Sequence, residues 1–372
     1  MDSRFNSNQS FWEDALFHQH YDLVIVGAGL TGLSTALFFK NENPDARVLV
    51  LERGIFPIGA STRNAGFACI GTVGEHLADL EFNAEEQLKA RIKARYKGLQ
   101  LLISTLGEEH IGLDLCGGWE IFTNPSDFDQ AKKHIARFNT WMEELIGEKE
   151  VYSAGEFESY PGIFNRLEGL LHPGKMIRRL IELNIGDGVE LRWQANVTGV
   201  DFELGNVKTK DGLVVTADQI VLATNAFTSS LTDKESIKPG RGYVFVTSSI
   251  EDYKWNGTFH FNKGYVYFRN IGTDRLLIGG GRNVAYDAET TSEFGINQTI
   301  KKYLIEFVNS VIKLPEGWEI EREWSGIMGF TESKSASLEK VGTKTWQVAG
   351  LSGMGVALCM ALGKNVASEL RK

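Results

Sequence analysis

Hydrophobic residues near the start of the chain form two short continuous runs with a helical period between them. Residues 23–26 and 48–51 are entirely apolar, as strands covered on both faces of a sheet must be. Between the runs, Leu30, Leu33 and Leu37 recur at helical spacing. This order predicts a buried strand, a helix and a second buried strand, which is typical of an α/β fold.

The rest of the pattern predicts helices at both sides of a strand-rich middle. Helical periodicity indicates helices over 88–106, 128–145 and 300–311, and a last helix that runs to Leu370. From 239 to 282, aromatic and β-branched runs alternate with turn residues, which predicts antiparallel hairpins. Their strands are expected at 243–247, 258–261, 265–268 and 276–279.

These elements favour an α/β, Rossmann-like nucleotide lobe interrupted by an antiparallel-sheet (α+β) lobe. We expect a discontinuous nucleotide-binding domain formed by 20–115, 150–235 and 320–372. The second domain, with the antiparallel sheet, would take 116–149 and 236–319.

The most informative motif lies between the first strand and the first helix. Gly27, Gly29 and Gly32 have the G-x-G-x-x-G spacing that permits a tight turn, a close backbone approach to a pyrophosphate and close helix packing. The helix that follows directs its free N–H groups at the phosphates. Glu52 ends the second strand, about 20 residues after Gly32, where a carboxylate can bind an adenosine ribose. The motif predicts dinucleotide binding, although a purely structural turn has the same glycine pattern.

Composition narrows the classes of function. The net charge of −9 argues against a nucleic-acid partner, which would favour a basic face. The 3 cysteines form no C-x-x-C pair and the 7 histidines are scattered, which predicts a cytoplasmic protein without a metal site. No apolar run is long enough for a membrane span, and residues 1–14 lack the apolar core of a secretory signal.

Together these motifs resemble the D-amino-acid oxidase (DAO) superfamily of FAD-dependent enzymes, which includes glycine, sarcosine and γ-glutamylputrescine oxidases. The resemblance covers nearly the whole chain, and the loop at 61–66 looks most like the putrescine-side branch. It implies a glutathione-reductase-type FAD-binding lobe and a substrate-binding lobe. The segments that carry it are 27–32 with Glu52, 59–66, 223–226, 239–242, 276–281, 324–330 and 350–356.

The resemblance also implies which residues hold FAD. The backbone of the first glycine turn would contact the pyrophosphate, through Gly27, Gly29, Leu30, Thr31 and Gly32. At the end of the next strand, Glu52 would bind the ribose and Arg53 would lie near the adenine. The loop after that strand would run beside the flavin ring and ribityl chain, through Ser61, Thr62, Asn64 and Ala65. The adenine end would be closed by Val197, Thr224 and Asn225. A second helix start would face the flavin pyrimidine, through Gly353, Met354, Gly355 and Val356.

Three departures from the family pattern bear on substrate and acceptor. Family members that bind an α-amino acid place an arginine near 327–329 to hold the substrate carboxylate, and this chain has no arginine there. Arg282 could contact an anion from another direction, or it could be a solvated charge at the end of a strand. Leu277 takes the place of a lysine that assists oxygen in the sarcosine branch. No cysteine lies at 327–330, so we expect non-covalent FAD.

The catalytic residues are not identifiable from the motifs. Candidates for the walls of the substrate pocket are the residues Tyr265, Tyr267, Arg282, Trp324 and Met328. Aromatic residues at alternating strand positions also serve as core packing.

The leading hypothesis is oxidation of a C–N bond in a small amine or N-substituted amino acid, with hydride transfer to flavin N5 and release of an imine or aldehyde and hydrogen peroxide. Alternatives are a flavin dehydrogenase with an acceptor other than O₂, an oxidase of an aminomethyl group on a modified tRNA base, a non-catalytic flavoprotein and, least favoured, a nicotinamide dehydrogenase.

Overall fold

The computed structural model describes residues 10–12, 20–232, 237–332 and 335–370. Most of the amino-terminal segment, in which no secretory signal is expected, lies outside the described residues. No helix in the described ranges is long and apolar enough to cross a membrane.

The described residues form eighteen strands and ten α-helices of four residues or more, together with short 3₁₀- and π-helical turns. In chain order the strands are β1 (His20–Val26), β2 (Val48–Leu51), β3 (Phe67–Ala68), β4 (Gly118–Ile121), β5 (Tyr152–Phe157), β6 (Tyr160–Asn165), β7 (Gly169–Leu170), β8 (Glu190–Arg192), β9 (Val197–Asp201), β10 (Asn206–Thr209), β11 (Val214–Leu222), β12 (Lys238–Thr247), β13 (Thr258–Phe261), β14 (Val266–Ile271), β15 (Arg275–Gly280), β16 (Ile320–Phe330), β17 (Ser337–Lys340) and β18 (Thr345–Ala349). The helices are α1 (Leu30–Glu42), α2 (Ala60–Arg63), α3 (Val73–Leu80), α4 (Glu85–Leu106), α5 (Glu108–Ile111), α6 (Pro125–Lys132), α7 (Ile135–Ile146), α8 (Pro173–Gly186), α9 (Gln298–Phe307) and α10 (Gly355–Glu369).

The first sheet is the expected nucleotide-binding sheet. Its strand order is β17-β18-β11-β1-β2-β8, and β10 and β9 extend from β11. The strands β8, β2, β1, β11 and β18 run parallel, with β1 between β2 and β11. Residues 23–26 of β1 are covered by both neighbouring strands and on both faces, which is why this part of the strand is continuously apolar. The α/β prediction is confirmed.

The second sheet has the order β16-β12-β15-β14-β13-β4-β6-β5. All its pairings are antiparallel except that of β13 with β4. The predicted hairpin strands are present in it, and one apolar cluster built around Phe245, Phe259 and Phe268 fills one side together with α9. The antiparallel lobe is therefore a sheet with its own core.

Two details differ from the expectations. The strands β5, β6 and β16 pair within the second sheet, although the sequence predicts that residues 152–165 and 320–330 belong to the nucleotide-binding domain. The division into two domains stays a prediction, and sheet membership favours shifting these boundaries. The helix expected over 128–145 is two helices, α6 and α7, because the chain turns at 133–134.

Candidate functional site

The glycine turn after β1 is required by close backbone contacts. Gly27 has a φ of +107°, and a Cβ there would lie 2.6 Å from the carbonyl oxygen of Ala223. A Cβ on Gly32 would lie 2.0 Å from the carbonyl oxygen of Gly27. Helix α1 can therefore begin directly against the strand end, which brings its first N–H groups to the cavity described below.

The start of α1 is joined to the loop at 59–66 by a hydrogen bond. The Leu30 amide donates to the Ser61 hydroxyl at 2.9 Å. Gly29, the N-cap residue, has no side chain to cap the helix, and the Ser61 hydroxyl takes the first amide of α1. The next amides of the first turn stay available for an anionic ligand.

Glu52 is fixed at the end of β2 by backbone donors from two directions. Its Oε2 accepts a 3.0 Å bond from the Ala28 amide, and its Oε1 accepts a 2.9 Å bond from the Gly54 amide. The side chain is 9% exposed and lines the cavity. Each carboxylate oxygen retains a lone pair that a ribose hydroxyl could use.

One cavity of about 530 Å³ extends from this turn to the second sheet. Most predicted cofactor and pocket residues line it; they are Gly27, Gly29, Leu30, Thr31, Glu52, Arg53, Ser61, Asn64, Ala65, Val197, Thr224, Asn225, Tyr265, Tyr267, Arg282, Met328, Gly353, Met354, Gly355 and Val356. Their roles toward FAD and substrate stay predictions.

Three predicted residues do not line the cavity. Gly32 packs against Gly27, as its spacing requires. The Thr62 hydroxyl is directed away, donating to the Pro57 carbonyl at 2.6 Å. Trp324 was expected as a pocket wall, but its indole Nε1 donates to the Arg63 carbonyl at 3.0 Å and packs in a small apolar cluster. These three residues contact segments that line the cavity, but they do not line it themselves.

The far ends of the cavity show one contact that the sequence did not predict and one helix start that it did. At one end the Arg53 guanidinium lies 4.0 Å from the centre of the Phe227 ring, which also lines the cavity. At another, Gly353 has a φ of +86° immediately before α10, whose N-cap residue Met354 lacks a side-chain cap among the described residues. A second uncapped helix start thus faces the same cavity.

Strand pairing lines up a row of side chains across the second sheet. The row runs through Trp324, Val244, Gly279, Tyr267, His260 and Glu120. Directly paired residues point to the same face, so this row defines the cavity side of the sheet. The Tyr267 ring covers Gly279, where a Cβ would lie 2.7 Å from the ring. Burial raises the pKa of Tyr267 to about 12, so its hydroxyl stays protonated.

Arg282 follows β15 at the cavity wall. Its guanidinium lies 4.3 Å from the ring centres of both Tyr286 and Phe330. Its Nη2 is 3.4 Å from the Thr290 hydroxyl, while Nε is buried with no hydrogen-bond partner among the described residues. Arg282 is therefore a positioned cation with an unused donor.

Buried titratable side chains gather where the cavity passes between α3, α4 and β13. Glu75 and Arg95 form an ion pair of 3.0 Å, and both line the cavity together with Cys69 and His260. Burial raises the pKa of Glu75, but Arg95, together with His76 and His260, lowers it to about 2, so Glu75 is ionised. Burial, Glu168 and Glu75 raise the pKa of the Cys69 thiol well above its usual range.

This cluster had no sequence signal, because its members are scattered from 69 to 260 and match no motif. Among the described residues, no group of three or more His, Cys, Asp or Glu side chains could hold a metal ion.

Comparison with known proteins agrees with this geometry. The family model described as FAD dependent oxidoreductase (DAO) matches residues 22–369. Gamma-glutamylputrescine oxidoreductase of Escherichia coli K12 is 24% identical over 373 residues, covering 94% of this chain and 83% of that protein.

Solved structures share the fold. Glycine oxidase from Geobacillus kaustophilus aligns with a TM-score of 0.75 at 19% identity, covering 95% of both chains. L-proline dehydrogenase from P. horikoshii aligns with a TM-score of 0.73 at 18% identity, covering 94% of this chain and 93% of that one. At such identities these structures support the fold alone. The family match confirms the predicted resemblance and the predicted cofactor, FAD.

Proposed function

This chain belongs to the DAO family of FAD-dependent oxidoreductases, and from that premise we propose that it oxidises a C–N bond of a small amine or N-substituted amino acid. Bound FAD supplies the hydride acceptor, flavin N5. The products are an imine, which water hydrolyses to an aldehyde and an amine or ammonia, and hydrogen peroxide when O₂ is the acceptor.

The continuity of the cavity carries the proposal. Its first part is lined by the glycine turn, Glu52 and the start of α1, and its second part by Tyr267, Met328 and Arg282 of the antiparallel lobe. A dinucleotide laid along the first part extends its ring end toward the second. The ring would then meet the sheet face that has room for a small substrate.

The loop beside the expected ring position is held by neighbours from the second sheet. Arg269 donates to the carbonyls of Ala65 at 3.2 Å and Gly66 at 3.0 Å, and Trp324 donates to Arg63. The Gly66 amide in turn donates to the Asn64 side chain at 2.9 Å. A loop fixed in this way supports a rigid cofactor edge and a constant distance to the substrate.

The chain also supports non-covalent FAD. Cys69 is the cysteine that lines the cavity in the described residues, and its thiol is buried with a raised pKa. A protonated thiol is a poor nucleophile toward the flavin ring. We expect acid or heat denaturation to release all FAD into solution, and flavin that stays with the precipitated chain would contradict this.

The proposed activity is tested by mixing the oxygen-free, FAD-loaded protein with separate amines while recording the visible flavin absorption. The panel contains N-methyl amino acids, glycine, a γ-glutamyl diamine and simple diamines. Bleaching by members of this panel supports the proposal. Bleaching by none of them, with dithionite still reducing the flavin, would contradict it.

A dehydrogenase is the second candidate, favoured by one observation. Leu277, at the position where the resemblance implies a lysine, is buried in an apolar cluster with Ala65 and Val244, so its side chain supplies no charge to assist O₂. The amine-reduced protein separates the two: fast reoxidation by O₂ identifies an oxidase, while slow reoxidation by O₂ and fast reoxidation by a quinone identifies a dehydrogenase.

A further inference from the structure

His260 is a buried histidine in the wall of the cavity. It belongs to β13, directly opposite Tyr267 of β14, and is 6% exposed. Its ring meets Phe67 edge-on, with 5.1 Å between the ring centres. Phe67 follows the loop at 59–66 and meets Tyr267 in the same way at 5.7 Å. One aromatic ring therefore separates His260 from the segment proposed to run beside the flavin.

Glu168 holds the imidazole from behind. Its Oε1 pairs with His260 Nε2, and the Glu168 side chain is fully buried. Its second oxygen, Oε2, has no hydrogen-bond partner among the described residues. Nε2 of His260 is bonded to Glu168. The other ring nitrogen, Nδ1, forms no hydrogen bond with any described residue.

We propose that His260, positioned by Glu168, accepts a proton from the ammonium group of the bound amine substrate. This inference rests on the proposed function. An N–H bond of the ammonium breaks, an N–H bond forms at His260 Nδ1, and the electron pair stays on the substrate nitrogen. The resulting neutral amine is the form that can release hydride from its α-carbon.

The charges around His260 suit this exchange. Burial lowers its pKa, but Glu168, Glu75 and Glu120 raise it by more, so the pKa lies above the usual histidine value. Glu120 approaches from β4, Glu75 from α3 and Glu168 from the turn after β6. Tyr267 lies directly opposite His260, and Arg95, which pairs with Glu75, lines the cavity on this side together with Cys69 and Asp79.

A carboxylate behind the imidazole orients the ring and stabilises the imidazolium that forms when it takes a proton. A raised pKa also brings the acceptor nearer to the basicity of an aliphatic amine, which favours transfer.

The test compares the wild type with Glu168→Gln and His260→Gln, and uses His110→Gln, an exposed histidine on α5, as the control. Anaerobic flavin reduction by a reactive amine is measured against pH. In the wild type the rate should fall at acid pH, where His260 becomes protonated. Glu168→Gln should shift this fall to lower pH, because the imidazolium loses its carboxylate.

His260→Gln should lower the neutral-pH rate by about 10²–10⁴-fold and respond to added imidazole or to alkaline pH, where the free amine is already neutral. FAD content and thermal unfolding of each variant show whether it is folded. The control variant should match the wild type at every pH.

A second readout needs no turnover. NMR titration of ring-labelled histidine should give His260 a pKa above the usual value in the wild type and a lower pKa in Glu168→Gln. Suppose that amines reduce the wild type, but that neither variant changes the fall of the rate at acid pH and Glu168→Gln leaves the pKa of His260 unchanged. This inference is then wrong and the proposed function stands. If no amine reduces the wild type, the proposed function itself fails.

Discussion

The amide of Leu30 donates a 2.9 Å hydrogen bond to the hydroxyl of Ser61. Leu30 begins α1, and Ser61 lies in the loop proposed to run beside the flavin ring. The bond therefore joins the phosphate end of the expected cofactor path to its ring end, and both residues line the same cavity.

Ser61→Ala tests this link. Without the hydroxyl, the Leu30 amide loses its partner, a cost of about 1 kcal/mol that corresponds to roughly fivefold weaker FAD binding. Titration of the apoprotein with FAD, followed by flavin fluorescence, measures the change. Ser104→Ala, an exposed serine of α4 that bonds a carbonyl of its own turn, serves as the control and should bind FAD normally. Equal affinity in both variants would mean that the bond plays no part in holding FAD.

Gly32→Ala tests the close contact within the turn. A Cβ would lie 2.0 Å from the Gly27 carbonyl oxygen, so strand and helix must separate. We expect a stability loss of about 2 kcal/mol or more and a protein largely without FAD. Thermal unfolding and the flavin-to-protein absorbance ratio measure both effects.

The matched control for that substitution is Gly186→Ala, at the end of α8. No atom lies within 4 Å of a Cβ added there, and its φ is not positive. Alanine favours a helix over glycine by up to about 1 kcal/mol, so stability should stay level or rise. A similar loss in both variants would contradict the packing argument.

Arg282→Gln tests whether the substrate carries a carboxylate. The buried Nε has no hydrogen-bond partner among the described residues, so an anion entering the cavity could use it. Loss of a charge-assisted bond should raise the KM of N-substituted amino acids by about 10–100-fold and leave simple amines unaffected. Arg275→Gln, whose arginine pairs with Glu321 at the surface, should change neither. Equal KM changes for both substrate types would show that Arg282 does not bind the carboxylate.

Glu120 makes stability depend on pH. Burial raises its pKa from 4.5 to about 7, although the Gly74 amide, which donates to its Oε2 at 2.8 Å, opposes the shift. Because the folded pKa exceeds the unfolded one, the contribution is complete below pH 4.5 and is lost as pH rises through about 7. The measurement is urea unfolding of the wild type and of Glu120→Gln, which cannot ionise, from pH 5 to pH 8. The wild type should lose stability relative to the variant as pH rises, and parallel curves would contradict the shift.

The cofactor turn was predictable because its signal is local. Gly27, Gly29 and Gly32 adjoin the strand and helix that they connect, and Glu52 follows at a fixed distance. The structure brings Glu52 back to the Ala28 amide, as this spacing implies. The order of strand, helix and strand at the start of the chain likewise predicted the parallel sheet.

The substrate end was less predictable because its contacts join distant parts of the chain. His260 and Glu168 are 92 positions apart, and Glu168 follows β6 without any motif. Trp324 looked like a pocket wall, yet its indole N–H reaches the Arg63 carbonyl 261 positions away. Sequence periodicity gives the face of a strand, but not the long-range partner that decides where a side chain points.

The most direct measurement of the central claim is a kinetic isotope effect on flavin reduction. The oxygen-free protein is mixed rapidly with a reactive amine, either unlabelled or deuterated at the carbon beside nitrogen, and the flavin absorption is followed. We expect that the amine bleaches the flavin and that deuterium slows the bleaching. Reduction by NADH but by no amine, or amine reduction at equal rates for both isotopes under conditions where binding is saturated, would contradict it.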